Sequence, residues 1–354
     1  MELLPPSALV AIGRHLEDGE RNACVLASRH LWPVHESSTH HTLTYHSNQG
    51  ERLHHVRATV AHVLALKPRL RTLNIRLCSF SASVGFVSLE ASAGVHVHVA
   101  FVNCDPAFVR AVAVRGTSVS VILNTCDKAT AGHVDGLLRS LAPKVSLVSC
   151  DNRLFAQIPS DAFDDVARIR IVVGVDYTSV IDLCGLKHAV VELSGDIMWF
   201  TVYGACKLAT ISDAGRSLPN PGHAVTSPLC ESLRLADTSC VRCVEVWNAD
   251  NAGWCDLVAL LPTTAEYTVT VTNPMCMRFL ERLEVVGVTS IRLRARSRDT
   301  YIMARMACLL LKKRYDIVAS VPVGELSDAG LTVRDLFHRL HPAGQEAWFA
   351  AKYC

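Results

Sequence analysis

The chain has 354 residues, with 35 Lys plus Arg against 33 Asp plus Glu, a formal charge of +2. That balance argues against a strongly basic nucleic-acid binder. Hydrophobic residues make up 50% and aromatics 6%, which excludes a disordered chain and supplies a core of small aliphatic side chains.

The opening residues, Met1 to Pro6, carry neither a basic segment nor a long apolar one, so no secretory signal is expected. A short apolar helix follows, with Leu9, Ile12 and Leu16 on one stripe. Glu17, Asp18 and Gly19 make a turn, and a second helix runs over about residues 20–30. The polar, histidine-rich stretch 36–55 reads as a connection, with the linker proper placed at 47–55. Its His35-Glu36 and His40 are one residue too far apart for the H-E-x-x-H zinc motif, so no metal is expected there.

From residue 56 onward short β-like runs recur. Four end in cysteine, at Cys78, Cys104, Cys126 and Cys150, spaced 26, 22 and 24 residues apart. The first reads L-x-x-L-x-L-x-x-C from Leu70 to Cys78. Later runs keep two inward apolar positions: Val99 and Phe101, Val121 and Leu123, Val145 and Leu147, Ile171 and Val173, Val191 and Leu193. Less regular ones follow at Ala209 and Ile211, Leu233 and Leu235, Val269 and Val271, and Ile291 and Leu293. Between them, helices are predicted over 106–114, 129–141, 178–186, 254–261 and 299–312. The stretch 241–285 has no clear phase. Within it, Cys240-x-x-Cys243 is half of a zinc pattern and lacks a second pair. No phosphate-binding glycine loop or nucleophile elbow occurs, so no cofactor and no catalysis by this chain are expected. The apolar stretch 302–311 is broken by Arg305 and too short to span a membrane. Residues 331–354 read as terminal helices, with Trp348 and Phe349 sealing the last repeat.

A strand, a turn and a helix every 24 residues or so form a unit that buries its face only against neighbours. The period and the L-x-x-L-x-L-x-x-C run resemble the leucine-rich-repeat family over residues 56–330. The resemblance implies an α/β fold, a curved solenoid of strand–helix units, with the strand-ending cysteines packed inward. A doubly wound α/β sheet is the rival. Residues flanking the inward pairs would line the strand face. Among them Arg76, Arg170, Arg234, Arg292 and Arg294 form the candidate substrate-binding set, suited to an acidic or phosphorylated protein segment.

Residues 1–46 resemble an F-box, a three-helix module. The resemblance rests on Leu4-Pro5 opening the first helix, on Leu9, Ile12 and Leu16 along it, and on residues 25–31 with Leu26. It implies an adaptor of an SCF-type cullin–RING ubiquitin ligase, with Leu4, Pro5, Leu9, Ile12, Leu16 and Leu26 docking the linker subunit. Protein substrate would sit on the repeats, in the cytoplasm or nucleus, without nucleic acid or membrane. A repeat scaffold with no ligase role is the alternative.

Overall fold

The computed structural model describes residues 40–47, 63, 70–81, 87–90, 95–115, 117–123, 130–141, 145–174, 180–195, 197, 200–213, 227–247, 252–272 and 276–319. The chain divides into two compact units, and the boundary falls at residues 169–170, with 187–189 belonging to the first.

In the first unit the sheet strands are β1 (His40–His46), β2 (Thr72–Cys78), β4 (His96–Val102), β6 (Thr117–Ile122) and β7 (Val145–Asp151). β3 (Val87–Glu90) and β5 (Val112–Arg115) form a separate parallel pair. The helices are α1 (Pro106–Ala111), α2 (Ala131–Leu141) and α3 (Asn152–Gln157). Alternation sets the strands: Leu73, Ile75 and Leu77 are fully buried, and so are Val99, Phe101, Val119 and Val121 on the strands that follow. α1 starts because Asp105 Oδ1 accepts from the Ala107 amide at 2.9 Å and Pro106 holds the first-turn φ. It brings Phe108 to stack on Phe80 at 5.2 Å and meet Phe101 edge-on at 6.2 Å. α2 buries Val134, Leu137 and Leu138, spaced i, i+3 and i+4.

The second unit holds most of β8 (Arg168–Val173), then β10 (Val190–Gly195), β12 (Leu208–Asp213), β13 (Cys243–Val246), β14 (Glu266–Thr270), β15 (Ser290–Ala295) and β16 (Asp316–Ala319). β9 (Val180–Asp182) and β11 (Thr201–Tyr203) make a second small parallel pair. Its helices are α4 (Pro228–Arg234), α5 (Ala252–Val258), α6 (Cys276–Val286) and α7 (Arg298–Leu310). α7 opens on a capping box, with Ser297 Oγ accepting from the Thr300 amide and Thr300 Oγ1 accepting from the Ser297 amide. Trp254 is fully buried, edge-on to Phe279 at 6.1 Å, and its indole donates to the buried Asp213 carboxylate at 2.9 Å.

In the first unit the sheet strands hydrogen-bond in the order β1-β2-β4-β6-β7, and in the second in the order β8-β10-β12-β13-β14-β15-β16. Every pair with a defined register among them is parallel. Within each unit the order advances with the sequence and never reverses. A doubly wound sheet has a switch point where strand order turns back; a solenoid-like α/β fold lays each strand beside its predecessor.

Several expectations are corrected. Residues 40–46, expected to close a helical module within a polar connection, are a strand with Leu43 and Tyr45 on the inward face. Leu233 and Leu235 are not a strand run: Ser227-Pro228 starts α4, Leu229, Cys230 and Leu233 turn inward at helical spacing, and Leu235 is 95% exposed. Residues 180–182 are strand rather than helix, because Val180 and Ile181 alternate and Asp182 Oδ1 accepts from the Cys184 amide to turn the chain. Register shifts in two strand pairs make Val148 inward instead of Leu147, and Leu208 instead of Ala209. Residues 1–39 of the helical module expected over 1–46, and the terminal helices expected over 331–354, lie outside the described residues.

Candidate partner-binding face

The outward positions of the strands differ in kind between the two units. In the first unit β4 and β6 place His98 opposite Ser118. His98 Nδ1 lies 2.7 Å from Ser118 Oγ and its Nε2 lies 3.1 Å from Ser120 Oγ. His96 Nε2 reaches the same Ser118 hydroxyl at 3.1 Å. Ser146 on β7 donates to the Val119 carbonyl at 3.0 Å and lies 3.4 Å from Ser120. A neutral imidazole donates through one nitrogen and accepts at the other, so both hydroxyls are satisfied without charge. Burial lowers the His98 pKa, with the nearby His96 and Arg168 acting in the same direction. Among the described residues no carboxylate bonds to either imidazole, so the cluster lacks the group that orients a triad histidine. It is a surface of hydroxyl and imidazole groups, suited to hydrogen bonding.

In the second unit the outward positions are ionic. On β8 the Arg170 guanidinium meets Glu192 of β10 at 2.6 Å. Further along, Arg292 on β15 bridges two strands, reaching Glu266 at 2.5 Å and Asp316 at 2.8 Å. Arg294 contacts Glu245 of β13 at 3.4 Å, and Glu245 also accepts from Ser212 Oγ at 3.3 Å. Arg296 lies over the Trp247 ring, its Cζ 3.7 Å from the centroid.

These positions sort the predicted residues. Arg76 is exposed on the outer side of β2, across from Ala100. Arg170, Arg292 and Arg294 are on the expected face, each engaged by a carboxylate. Arg234 is not on that face, because it ends helix α4. Leu4, Pro5, Leu9, Ile12, Leu16 and Leu26 lie outside the described residues. Sequence reasoning missed Glu245, Trp247 and Glu266, all in the stretch it could not phase. The alternation Cys243-Val244-Glu245-Val246 was the available signal, since Val244 and Val246 are fully buried.

The cysteines behave as small core side chains. Cys104 and Cys150 are fully buried and Cys78 nearly so, and Cys104 Sγ donates to the Leu77 carbonyl at 3.1 Å. Burial pushes the Cys150 thiol up to about 12. Cys126 lies outside the described residues. Cys240 sits exposed in a turn and Cys243 begins β13, and among the described residues no cluster of three or more His, Cys, Asp or Glu is placed to hold a metal ion. Among the same residues no helix is long and apolar enough to cross a membrane. No family model and no curated protein matches the chain.

Proposed function

We propose that the chain is a substrate-recruiting adaptor of an SCF-type cullin–RING ubiquitin ligase, built from degenerate leucine-rich repeats behind an F-box-like N-terminus. The observation that supports this reading most is the parallel strand order within each unit, which follows the sequence and alternates buried inward positions with polar outward ones. A row of that kind offers a long, chemically varied surface to another protein. The N-terminal stripe of Leu4, Pro5, Leu9, Ile12, Leu16 and Leu26 would dock the linker subunit, and other subunits would supply the ligation chemistry.

Affinity capture from cells tests the reading. The full chain retains the cullin-ligase linker subunit, and the double variant Leu9→Asp, Ile12→Asp loses it while its circular dichroism is unchanged. A wild-type chain that captures protein partners and never the linker subunit overturns the adaptor reading and leaves a repeat scaffold.

A further inference from the structure

β9 and β11 end side by side, and an exposed cysteine follows each. Asp182 pairs with Tyr203, and the Leu183 amide donates to the Tyr203 carbonyl at 2.9 Å, so the two segments still run together as they leave the strands. Gly204 then presses against the turn after β9. A Cβ there would sit 2.8 Å from the Cys184 nitrogen and 3.1 Å from its Cα, and Gly204 takes φ 70°, so only a residue without a side chain allows this approach.

Both sulfurs fold back toward this junction. The Cys184 amide donates to Asp182 Oδ1 at 2.9 Å, and the Cys184 thiol donates to the same carboxylate. Cys206, in the turn Ala205–Lys207, donates from Sγ to the Gly204 carbonyl at 3.8 Å. One thiol is thus held at Asp182 and the other at Gly204, the residue that follows the strand partner of Asp182. The sulfurs are near enough to sense each other's charge: the hydrogen bond to Asp182 pushes the Cys184 pKa up, and the charge on Cys206 adds to that shift. Both thiols are free and exposed, unlike the buried Cys104 and Cys150.

We propose that Cys184 and Cys206 form a redox modification site, closed to an intramolecular disulfide by exchange with a small disulfide of the glutathione type. One cysteine, as the thiolate, attacks a sulfur of the small disulfide; a mixed disulfide forms and one small thiolate leaves. The second cysteine gives its proton to solvent and attacks the protein sulfur of the mixed disulfide, releasing the second small thiolate. Two protein thiols are oxidised, and one disulfide is reduced to two thiols. The new bond ties turns whose backbones already touch, and it closes a loop that contains all of β10 and β11. The site stands apart from the adaptor reading, since it needs neither the N-terminal segment nor a protein partner.

The full chain, reduced and freed of reductant, is incubated without air in mixtures of reduced and oxidised glutathione. Remaining thiols are trapped with N-ethylmaleimide in denaturant and the peptides are mapped by mass spectrometry. The expected product is a peptide pair joined through Cys184 and Cys206, unlabelled and lighter by two hydrogens than its reduced form, with Cys104 and Cys150 carrying the label. Because the second attack is intramolecular, wild type holds at least about tenfold less mixed disulfide at these positions than Cys184→Ser or Cys206→Ser holds at the cysteine that remains. Both replacements are at exposed positions, and circular dichroism checks their fold; the wild-type map stands without them. Separate glutathione adducts at Cys184 and Cys206 in wild type, a cross-link from either to another cysteine, two thiols that stay labelled in every mixture, or closure only in a chain unfolded beforehand overturns the site.

Discussion

The two units build their strands on the same alternation and fill the polar positions differently. On the first, His96, His98, Ser118, Ser120 and Ser146 satisfy one another without net charge. On the second, Arg170, Glu192, Glu245, Glu266, Arg292, Arg294 and Asp316 pair as ions. The buried polar side chains differ as well: those of the first unit, Ser120, Ser149 and Asn152, are all neutral, whereas the second buries the carboxyl-bearing Asp213 besides Thr268 and Thr270. A parallel lattice thus fixes which positions face outward and leaves their chemistry free to diverge.

The largest expected effect separates the two interiors. Phe108→Ala and Trp254→Ala each create a cavity and cost about 3–5 kcal/mol in urea denaturation. Only Trp254→Ala also strips a donor from the buried Asp213. A double-mutant cycle with Asp213→Asn therefore recovers about 1–3 kcal/mol of the Trp254 loss. Purely additive costs would mean the indole–carboxylate bond carries no coupling.

The strand ends come next. In the first unit the chain leaves β2 through Ser79 at φ 60°, and in the second it leaves β10 through Gly195 at φ 113°. A Cβ on Gly195 would sit 2.2 Å from the Val173 carbonyl oxygen. Gly195→Ala should cost about 1–3 kcal/mol or more by thermal melting, while Ser79→Gly stays within about 1 kcal/mol of wild type. Equal tolerance at the two sites would erase the distinction.

Protonation distinguishes the outer faces. The His98 pKa is lowered by burial, so its neutral form is the one that fits the fold. That contribution is full above the unfolded value of about 6.5 and is lost as pH falls through the lowered folded value. Denaturation series from pH 7.5 to 5 should show a loss that His98→Gln abolishes, and NMR titration of the His98 ring gives its midpoint directly. A midpoint above 6.5 would contradict the arrangement.

Salt gives the smallest effect. Arg292 is 44% exposed, so Arg292→Ala should cost little at low salt and less still at high salt, read as a small shift of the denaturation midpoint. Ser118→Ala, which removes neutral hydrogen bonds, should cost about 0.5–1.5 kcal/mol with little salt dependence. Matching salt responses would dissolve the contrast between the faces.

Much of the strand lattice was legible because its signal is local. Leu73, Ile75 and Leu77 alternate within seven residues, and the recurring cysteines mark where strands end. What failed depended on information beyond the strand. β1 hides under histidines and threonines, because only Leu43 and Tyr45 mark its inner side. The shifts at Val148 and Leu208 arise from pairing with a neighbour, which no single run encodes. Around Cys243–Thr270 the helices and turns vary in length, so the period slips although the strands persist. Arg292 and Arg294 were visible in sequence as strand-face candidates; their neutralisation was not, because Glu245, Glu266 and Asp316 come from three other strands.

The buried thiols have an experimental consequence. Cys184, Cys206 and Cys240 are exposed, while Cys78 at the end of β2, Cys104 just after β4 and Cys150 in β7 are buried. Alkylation proceeds through the thiolate, and burial suppresses it at Cys150. A maleimide pulse therefore marks the exposed three at once and reaches the others only when their own strands part. Mass spectrometry of the labelled peptides would then read the opening rate of each strand in turn, making the wild-type chain its own clock of local unfolding.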